Sequence, residues 1–187
     1  MPFFIEVGSC DFDTCEKLIQ NGWDGIVIEP VKYYYDKLTK YSNIVYENVA
    51  ISNTVGESEI HYIDPKEIIS YGQHWLKGIS SLEGKTGPLS FPGNRKIDHF
   101  SNCLKQKVNT TTLDNICEKH NIESIDFLKV DTEGHDLIVL KSLDLKNIPV
   151  RMIKVEHKHL NSKEIIEYLE RFNYLCYLEE DDIYAIK

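Results

Sequence analysis

Short apolar segments alternate along this chain with segments of helical periodicity, and this alternation constrains the fold more than any other feature. Five apolar segments have the character of buried strands: 3–7, 25–29, 44–50, 125–130 and 150–155. Amphipathic segments lie between them, as in the repeat of Ile165, Leu169 and Phe172. Strands that alternate with helices form a parallel sheet covered by helices on both faces. The sequence therefore predicts a doubly wound α/β fold.

The C-terminal segment departs from this parallel pattern. Two short strand-like segments, 174–178 and 183–186, are joined by the acidic turn 179–182. A connection this short permits only an antiparallel hairpin. We therefore expect a mostly parallel sheet into which one antiparallel strand is inserted near the C-terminus. A further strand with alternating polarity is predicted at 58–63. The length of 187 residues fits one domain, so residues 1–187 are predicted to form a single unit.

Charge and cysteine content restrict the partners and the compartment. The chain has 21 Lys and Arg against 30 Asp and Glu, a net charge of −9. Proteins that bind nucleic acid normally carry a basic surplus, so no nucleic-acid partner is predicted. The five cysteines are odd in number and form no CxxC pair, which predicts reduced thiols and a cytoplasmic location. No apolar run approaches the ~18 residues of a membrane span.

The turn after the first strand indicates which kind of nucleotide the chain can bind. A dinucleotide fingerprint would place glycines at positions 10 and 13, where this chain has Cys10 and Asp13. The carboxylates of Asp11 and Asp13 would repel a pyrophosphate at the helix start, where it needs positive potential. NAD and ATP are therefore poor candidates, and a nicotinamide-dependent oxidoreductase is disfavoured.

A cationic nucleoside suits this turn better. S-adenosylmethionine has no phosphate and carries a sulfonium and an ammonium group. Gly8 permits close passage of the backbone, and Glu6 and Asp11 offer acceptors for the cationic end. Glu29 follows Gly8 by 21 residues. That offset is close to the ~20 residues at which nucleoside-binding folds place an acid on the ribose. The alternative for Glu29 is a solvated strand end.

Two distant parts of the chain carry a family resemblance. Residues 125–137, IDFLKVDTEGHDL, resemble the strand–turn–helix signature of the FkbM-like branch of class I S-adenosylmethionine-dependent methyltransferases. Residues 4–8 with 27–30 resemble the first two cofactor motifs of that family. Residues 48–51 and 111–114 also fall where the family has comparable segments. The first loop differs from the family's more frequent Asp-x-Gly-Ala-Asn-x-Gly. The resemblance extends over almost the whole chain.

The resemblance implies a Rossmann-like class I methyltransferase fold and S-adenosylmethionine as the cofactor. It implies cofactor contacts at Glu6, Gly8, Ser9, Asp11, Glu29, Pro30, Asn48, Val49 and Asp131. Because members of this family often modify sugars, we predict an O-methyltransferase acting on a hydroxyl of a sugar or glycan-like acceptor. The alternative is a non-catalytic module with a methyltransferase-like fold that binds S-adenosylmethionine or a protein partner without turnover.

A hydroxyl acceptor needs a base or a metal that raises its nucleophilicity. The candidates follow the strands 125–130 and 150–155, which are predicted to be neighbours. Asp131 is expected nearest the methyl-transfer point, beside Glu133, with His135 or His157 as proton acceptor. The alternative for Glu133 and His135 is that they only cap the next helix.

A divalent cation is the other way to activate a hydroxyl. Asp131 and Glu156 follow neighbouring strands and offer hard oxygen ligands that suit Mg or Mn. His157 and His159 are spaced as a metal pair. No third ligand stands at an informative spacing, so we interpret this pair as surface residues.

The segment from about residue 64 to 107 is rich in glycine and proline and has few periodic apolar positions. Structureless segments this long tend to be lids or binding loops, so we predict a lid or an acceptor-binding insertion. Trp75 within it is a candidate for stacking on an acceptor ring. The sequence starts at the first strand, without the helix that commonly precedes it in this class. We therefore expect a domain of a longer multidomain chain, or one that relies on a partner.

Overall fold

The computed structural model describes residues 1–12, 14–72, 74–83 and 103–187. The strands are β1 (Phe3–Val7), β2 (Asp24–Ile28), β3 (Ile44–Glu47), β4 (Ala50–Ile51), β5 (Gly56–Ile63), β6 (Ser80–Ser81), β7 (Cys103–Thr111), β8 (Ile125–Val130), β9 (Val150–Glu156), β10 (Leu175–Glu179) and β11 (Asp182–Ile186). The helices are α1 (Glu16–Gln20), α2 (Lys32–Tyr35), α3 (Pro65–Tyr71), α4 (Leu113–His120), α5 (Asp136–Lys141) and α6 (Ser162–Glu170), with a 3₁₀ turn at His74–Gly78.

The larger sheet organises the fold. Within the described ranges its strand order is β10-β11-β9-β8-β1-β2-β3. The pairs β1–β2, β2–β3, β1–β8 and β8–β9 are parallel, whereas β11 is antiparallel to both β9 and β10. The mostly parallel sheet, the terminal hairpin and the contact between β8 and β9 are therefore confirmed. Chain order reverses between β1 and β8, so the turns after these two strands lie side by side.

Helices cover both faces of the larger sheet. On one face, Ile5 and Val7 of β1 belong to a buried cluster with residues of α4, α5 and α6, namely Leu113, Leu140 and Ile165. On the other face, Phe4 packs in a cluster with Leu18 of α1 and Tyr35 of α2. Strands buried on both faces read as continuous apolar runs, which is why β1, β2 and β8 were predictable. The longest described helix, α6, has nine residues, so none of these helices can cross a membrane.

A smaller sheet lies beside the larger one. Its order among the described strands is β4-β7-β5-β6. β5 and β7 are antiparallel from Gly56 opposite Thr110 to Ile63 opposite Cys103. The strand predicted at 58–63 is confirmed as part of β5, but it belongs to this second sheet.

Two predictions of local structure are wrong. Residues 44–50 form not one strand but β3 and β4, which belong to different sheets. The break falls at Asn48, whose side-chain amide donates to the carbonyl oxygens of Glu29 at 2.7 Å and Pro30 at 3.0 Å. The segment 64–107 is also not structureless, since it contains α3, the 3₁₀ turn, β6 and the start of β7. Residues 84–102 of that segment lie outside the described residues.

The start and end of α3 show what the sequence interpretation missed. Asp64 accepts a hydrogen bond from the backbone N–H of Lys66, and Pro65 occupies the first turn. Gly72 ends the helix with a φ of +64°. These are ordinary helix start and stop signals. They were hidden because the glycines and prolines of the segment were interpreted together as a loop.

Candidate functional site

Gly8 joins the turns that follow β1 and β8. Its φ is +80°, and a Cβ at this position would lie 1.8 Å from the carbonyl oxygen of Asp131. The N–H of Gly8 donates to the oxygen of Ile28, and the N–H of Asp131 donates to the oxygen of Val7, both at 3.0 Å. Only glycine combines this backbone conformation with so close an approach. The predicted cofactor turn is therefore held directly against the predicted catalytic turn.

Two clefts adjoin at this point. The first, which we call the apolar cleft, has a volume of about 390 Å³ that includes space open to solvent. Most of its lining is apolar, and it includes Val7, Pro30, Val49, Ala50, Ile51, Ile60 and Leu82. The second, which we call the acidic cleft, has a volume of about 630 Å³ that likewise includes space open to solvent. Four carboxylates and one lysine line it: Glu29, Asp131, Glu133, Glu156 and Lys158. Gly8, Ser80 and Asp131 line both clefts. The site therefore suits a ligand with an apolar end and a cationic end.

Glu29 is fixed in the wall of the acidic cleft. Its side chain accepts hydrogen bonds from the backbone N–H groups of Cys10 and Val31, both at 2.7 Å, and the residue is 2% exposed. Burial raises the pKa of Glu29 to about 7; the two backbone donors oppose this shift, while Asp11 and Glu6 add to it. The alternative of a solvated strand end is wrong, because this carboxylate is buried and held in one orientation.

Lys129 links Glu6 to Asp131 through a buried charge network. Its Nζ lies 3.3 Å from Glu6 Oε1 and 3.3 Å from Asp131 Oδ2. Burial alone would lower the pKa of Lys129, but the two carboxylates raise it above its usual value. The Asp131 side chain remains 39% exposed and lines both clefts. Glu6 is buried and lines neither of them, but lies beside a small cavity near Cys15.

The other residues predicted to contact the cofactor divide into two groups. Pro30 and Val49 line the apolar cleft. Asn48 lines neither cleft and instead binds the backbone of Glu29 and Pro30. Ser9 is buried and donates to the carbonyl oxygen of Cys10 at 3.2 Å. Asp11 forms an ion pair with Lys77. The structure thus brings Gly8, Glu29, Pro30, Val49 and Asp131 to the clefts, but not Glu6, Ser9, Asp11 or Asn48.

His135 is held between two polar partners. It is 7% exposed, its Nε2 lies 3.0 Å from Ser52 Oγ, and its Nδ1 lies 2.7 Å from Glu83 Oε1. It also lines the apolar cleft. His135 does occupy the N-cap position of α5, as the alternative held, but its side chain forms no capping hydrogen bond. Asp136 accepts from the backbone N–H groups of Thr132 and Gly134 instead.

Glu133, Glu156 and His159 lie together at the edge of the acidic cleft. Glu133 Oε2 is 3.0 Å from His159 Nε2, and one ligand atom from each of the three lies within 4.8 Å of the others. His159, which was interpreted as a surface residue, has a side chain that is 13% exposed and contacts Glu133. Asp131, which was paired with Glu156 as a metal ligand, does not belong to this group. Burial raises the pKa of Glu156 to about 9, and Glu133 and Asp131 add to the shift.

His157 lies outside both clefts. Its backbone N–H donates to the oxygen of Asp181 at 2.8 Å, and the residue lines neither cleft. Its Nε2 is buried and has no hydrogen-bond partner in the part of the chain that the structure describes. The structure therefore does not bring His157 to Asp131, and its role as proton acceptor stays a prediction.

Aromatic side chains border the acidic cleft. Trp75 and Phe12 are 51% and 47% exposed, and both line the cleft. Lys77 Nζ lies 4.2 Å from the centroid of the Phe12 ring. Trp75 was a predicted contact of the acceptor, whereas Phe12 was not. Only one feature of the sequence indicated a role for Phe12, namely that an aromatic residue stands where the family more often has glycine.

The fold and the clefts together define an α/β protein with a ligand site at the carboxyl ends of its parallel strands. A family model, methyltransferase FkbM domain, matches residues 6–176, and the chain belongs to this family. The resemblance found in the sequence is thereby confirmed. Neither a curated protein nor a solved structure was found to match the chain. Membership of the family indicates a methyltransferase and implies S-adenosylmethionine as the methyl donor.

Proposed function

We propose that this protein is an S-adenosylmethionine-dependent O-methyltransferase with a class I Rossmann-like fold. The observation that carries the proposal is the junction of an apolar and an acidic cleft at Gly8 and Asp131. These two residues follow β1 and β8, between which the strand order reverses. Ligands of doubly wound folds bind at such a switch point. S-adenosylmethionine, with adenine at one end and cationic groups at the other, matches this pair of clefts.

The two ends of the donor have different partners in this proposal. We assign adenine to the apolar cleft, where Pro30, Val49 and Leu82 offer apolar contact. The Glu29 carboxylate accepts from the ribose hydroxyls, and its rigid mounting lowers the entropy that binding would cost. The sulfonium and ammonium groups lie in the acidic cleft, where their charge would favour the ionised forms of Glu29 and Glu156, whose pKa values burial raises.

Methyl transfer needs an aligned hydroxyl acceptor. Bound S-adenosylmethionine supplies an activated methyl group. The acceptor oxygen attacks the methyl carbon in line, forming a C–O bond, while the S–C bond breaks and its electron pair stays on sulfur. Asp131 takes the hydroxyl proton, since its partly exposed carboxylate lines both clefts. Lys129 holds Asp131 in place at 3.3 Å. Much of the rate comes from this alignment.

A sugar or glycan-like acceptor is supported by the aromatic border of the acidic cleft. The apolar C–H faces of sugars pack on aromatic rings, and Trp75 and Phe12 offer exposed rings there.

The cytoplasmic location rests on the cysteines, all five of which are free thiols. That location, the absence of a nucleic-acid partner and a longer parent chain stay predictions. The binding of a Mg or Mn ion by Asp131 and Glu156 also stays a prediction. Activity measured with and without a chelator would test it.

Calorimetric titration tests the donor. We expect S-adenosylmethionine and its demethylated product to bind and NAD to give no heat. Methyl transfer is then screened on a sugar panel with wild-type protein, Asp131→Asn and Glu123→Gln, a control at an exposed acid outside the clefts. Asp131→Asn should lose turnover at least ~100-fold while still binding the product. Binding of NAD alone, or full turnover by Asp131→Asn, would contradict the proposal. Donor binding without turnover on any acceptor would identify the non-catalytic module.

A further inference from the structure

We propose that Glu133, Glu156 and His159 form a binding site for one divalent transition-metal cation. Glu133 lies in the turn after β8, Glu156 ends β9, and His159 lies in the turn before α6. Three separate segments of the chain thus converge on one point. The binding site itself does not depend on the methyltransferase activity; only its role beside the acceptor rests on the proposed function.

The spacing of the ligand atoms fits a metal ion. Donor atoms around a cation at ~2.1 Å stand between ~3 Å (adjacent) and ~4.2 Å (opposite) apart. Glu133 Oε2 and His159 Nε2 are 3.0 Å apart, and the atoms of all three residues lie within 4.8 Å of one another. Side-chain movements of about 1 Å would therefore complete a three-ligand site. In the described ranges, this is the one group of three such side chains close enough to hold an ion.

The side chain of Glu156 provides a second observation in favour of a bound metal ion. Its Oε2 is buried and has no hydrogen-bond partner in the described part of the chain. An unpaired acceptor of this kind costs free energy unless something binds it. A metal ion bound between the three residues would satisfy this oxygen.

Glu133 is held in position by its backbone. Its φ is +52°, which is uncommon for a residue with a side chain. Its carbonyl oxygen accepts a hydrogen bond at 3.0 Å from Ser81, which is 1% exposed. A side chain presented from so constrained a backbone needs little reorganisation on binding.

The mixture of ligands indicates the class of metal. One imidazole and two carboxylates suit Mn²⁺, Fe²⁺, Co²⁺ or Zn²⁺, whereas Mg²⁺ and Ca²⁺ prefer all-oxygen sites. Both glutamates line the acidic cleft. A bound cation would therefore border the space assigned to the acceptor, where a metal lowers the pKa of a coordinated hydroxyl.

Mn²⁺ titration of the full chain, followed by electron paramagnetic resonance, tests the site. We expect one bound Mn²⁺ per chain, and at least a tenfold loss of affinity in both Glu156→Gln and His159→Asn. The matched control is His120→Asn. His120 Nε2 lies 2.6 Å from Glu47 Oε1, and both side chains are about as exposed as those of His159 and Glu133. This variant should bind Mn²⁺ like the wild type. Thermal unfolding checks each variant, and Glu133→Gln replaces any that fails to fold.

Three outcomes would overturn the proposal. In the first, the wild type binds no Mn²⁺ at millimolar concentration. In the second, His159→Asn binds Mn²⁺ with unchanged affinity. In the third, Mg²⁺ displaces Mn²⁺ as effectively as Zn²⁺ does. A parallel titration with the demethylated donor product separates the two proposals. Product binding without Mn²⁺ binding would remove the metal site and leave the proposed function intact. Mn²⁺ binding without product binding would leave the metal site intact and contradict the proposed function.

Discussion

Gly8 and Gly22 have almost the same backbone conformation in very different surroundings. Their φ angles are +80° and +81°. A Cβ at Gly8 would lie 1.8 Å from the oxygen of Asp131, whereas a Cβ at Gly22 would meet no atom within 4 Å. The two positions therefore separate the cost of a left-handed conformation from the cost of a steric clash.

We predict a large difference between Gly8→Ala and Gly22→Ala. Gly22→Ala should lower the free energy of unfolding by ~1–2 kcal/mol, the usual cost of a left-handed non-glycine residue. Gly8→Ala should cost ~3 kcal/mol or more, because the turn after β8 must also move. Urea unfolding of both variants measures this difference. Equal losses would show that the contact with Asp131 does not constrain the turn.

Glu29 makes the stability of the protein depend on pH. Its pKa rises from 4.5 to about 7 on folding, because the carboxyl group is buried. Between these values the folded state holds a proton that the unfolded state has lost. The free energy of unfolding therefore falls as pH rises from about 4.5 to about 7, by up to ~3 kcal/mol.

Glu29→Gln should remove this contribution. The amide cannot ionise, so the variant should show a flatter pH dependence of unfolding over that window, even though its absolute stability is lower. Glu123→Gln, at an exposed acid, should keep the wild-type slope. Denaturant unfolding at several pH values gives the slopes. A Glu29→Gln slope equal to that of the wild type would place the titrating group elsewhere.

At the scale of elements, β1 and β8 are joined by charge as well as by hydrogen bonds. Glu6 and Lys129 are paired across the two strands, and Lys129 also reaches Asp131. The lysine is 5% exposed, so its removal leaves a buried, uncompensated carboxylate on Glu6. Breaking a buried ion pair from one side is strongly destabilising.

Lys129→Met should therefore lower the free energy of unfolding by ~3–5 kcal/mol. The control is Lys154→Met. Lys154 lies 2.7 Å from Asp182, but both side chains are about one quarter exposed, so this change should cost under ~1 kcal/mol. Chemical denaturation compares the two variants. Similar losses would mean that burial of the Lys129 network contributes little.

Sequence patterns predicted the elements of the larger sheet better than those of the smaller one. The strands β1, β2 and β8 contribute to the clusters on both faces, and their apolar runs are visible without context, whereas β9 is recognisable by its alternating buried positions. β7 has the sequence CLKQKVNTT and is buried only at scattered positions. Its pairing with β5 depends on a tertiary contact that no local pattern encodes.

At the scale of the whole molecule, the residues of the site also divide into those that local sequence patterns predict and those that tertiary contacts position. Gly8, Glu29 and Asp131 follow predictable strands, and parallel strands bring their carboxyl ends to one edge. Phe12, Ser80 and His159 belong to turns or to the smaller sheet. Their positions follow from long-range contacts such as that of Ser81 Oγ with the oxygen of Glu133. Sequence order alone gives no sign of such contacts.

The charge of the whole molecule should affect donor binding. The chain has a net charge of −9, and the acidic cleft concentrates part of it. Salt screens such attraction, with a Debye length of ~8 Å at physiological ionic strength. The affinity for S-adenosylmethionine should therefore fall as NaCl is raised from about 20 mM to about 500 mM. The affinity for its product should fall less, because the sulfur of the product is uncharged. Calorimetry at both concentrations measures this, and identical salt effects would contradict it.

The walls of the two clefts come from different parts of the chain. Gly8 and Glu29 follow strands of the larger sheet, whereas Ser80 and Leu82 come from β6 and the residues after it. Ala50, Ile51 and Ile60 of the smaller sheet also line the apolar cleft, to which we assign adenine. Mutations in this sheet should therefore change the contacts of the proposed donor as well as those of the acceptor. Any exchange of the smaller sheet between two members of the family accordingly needs a test of donor binding before a new acceptor is sought.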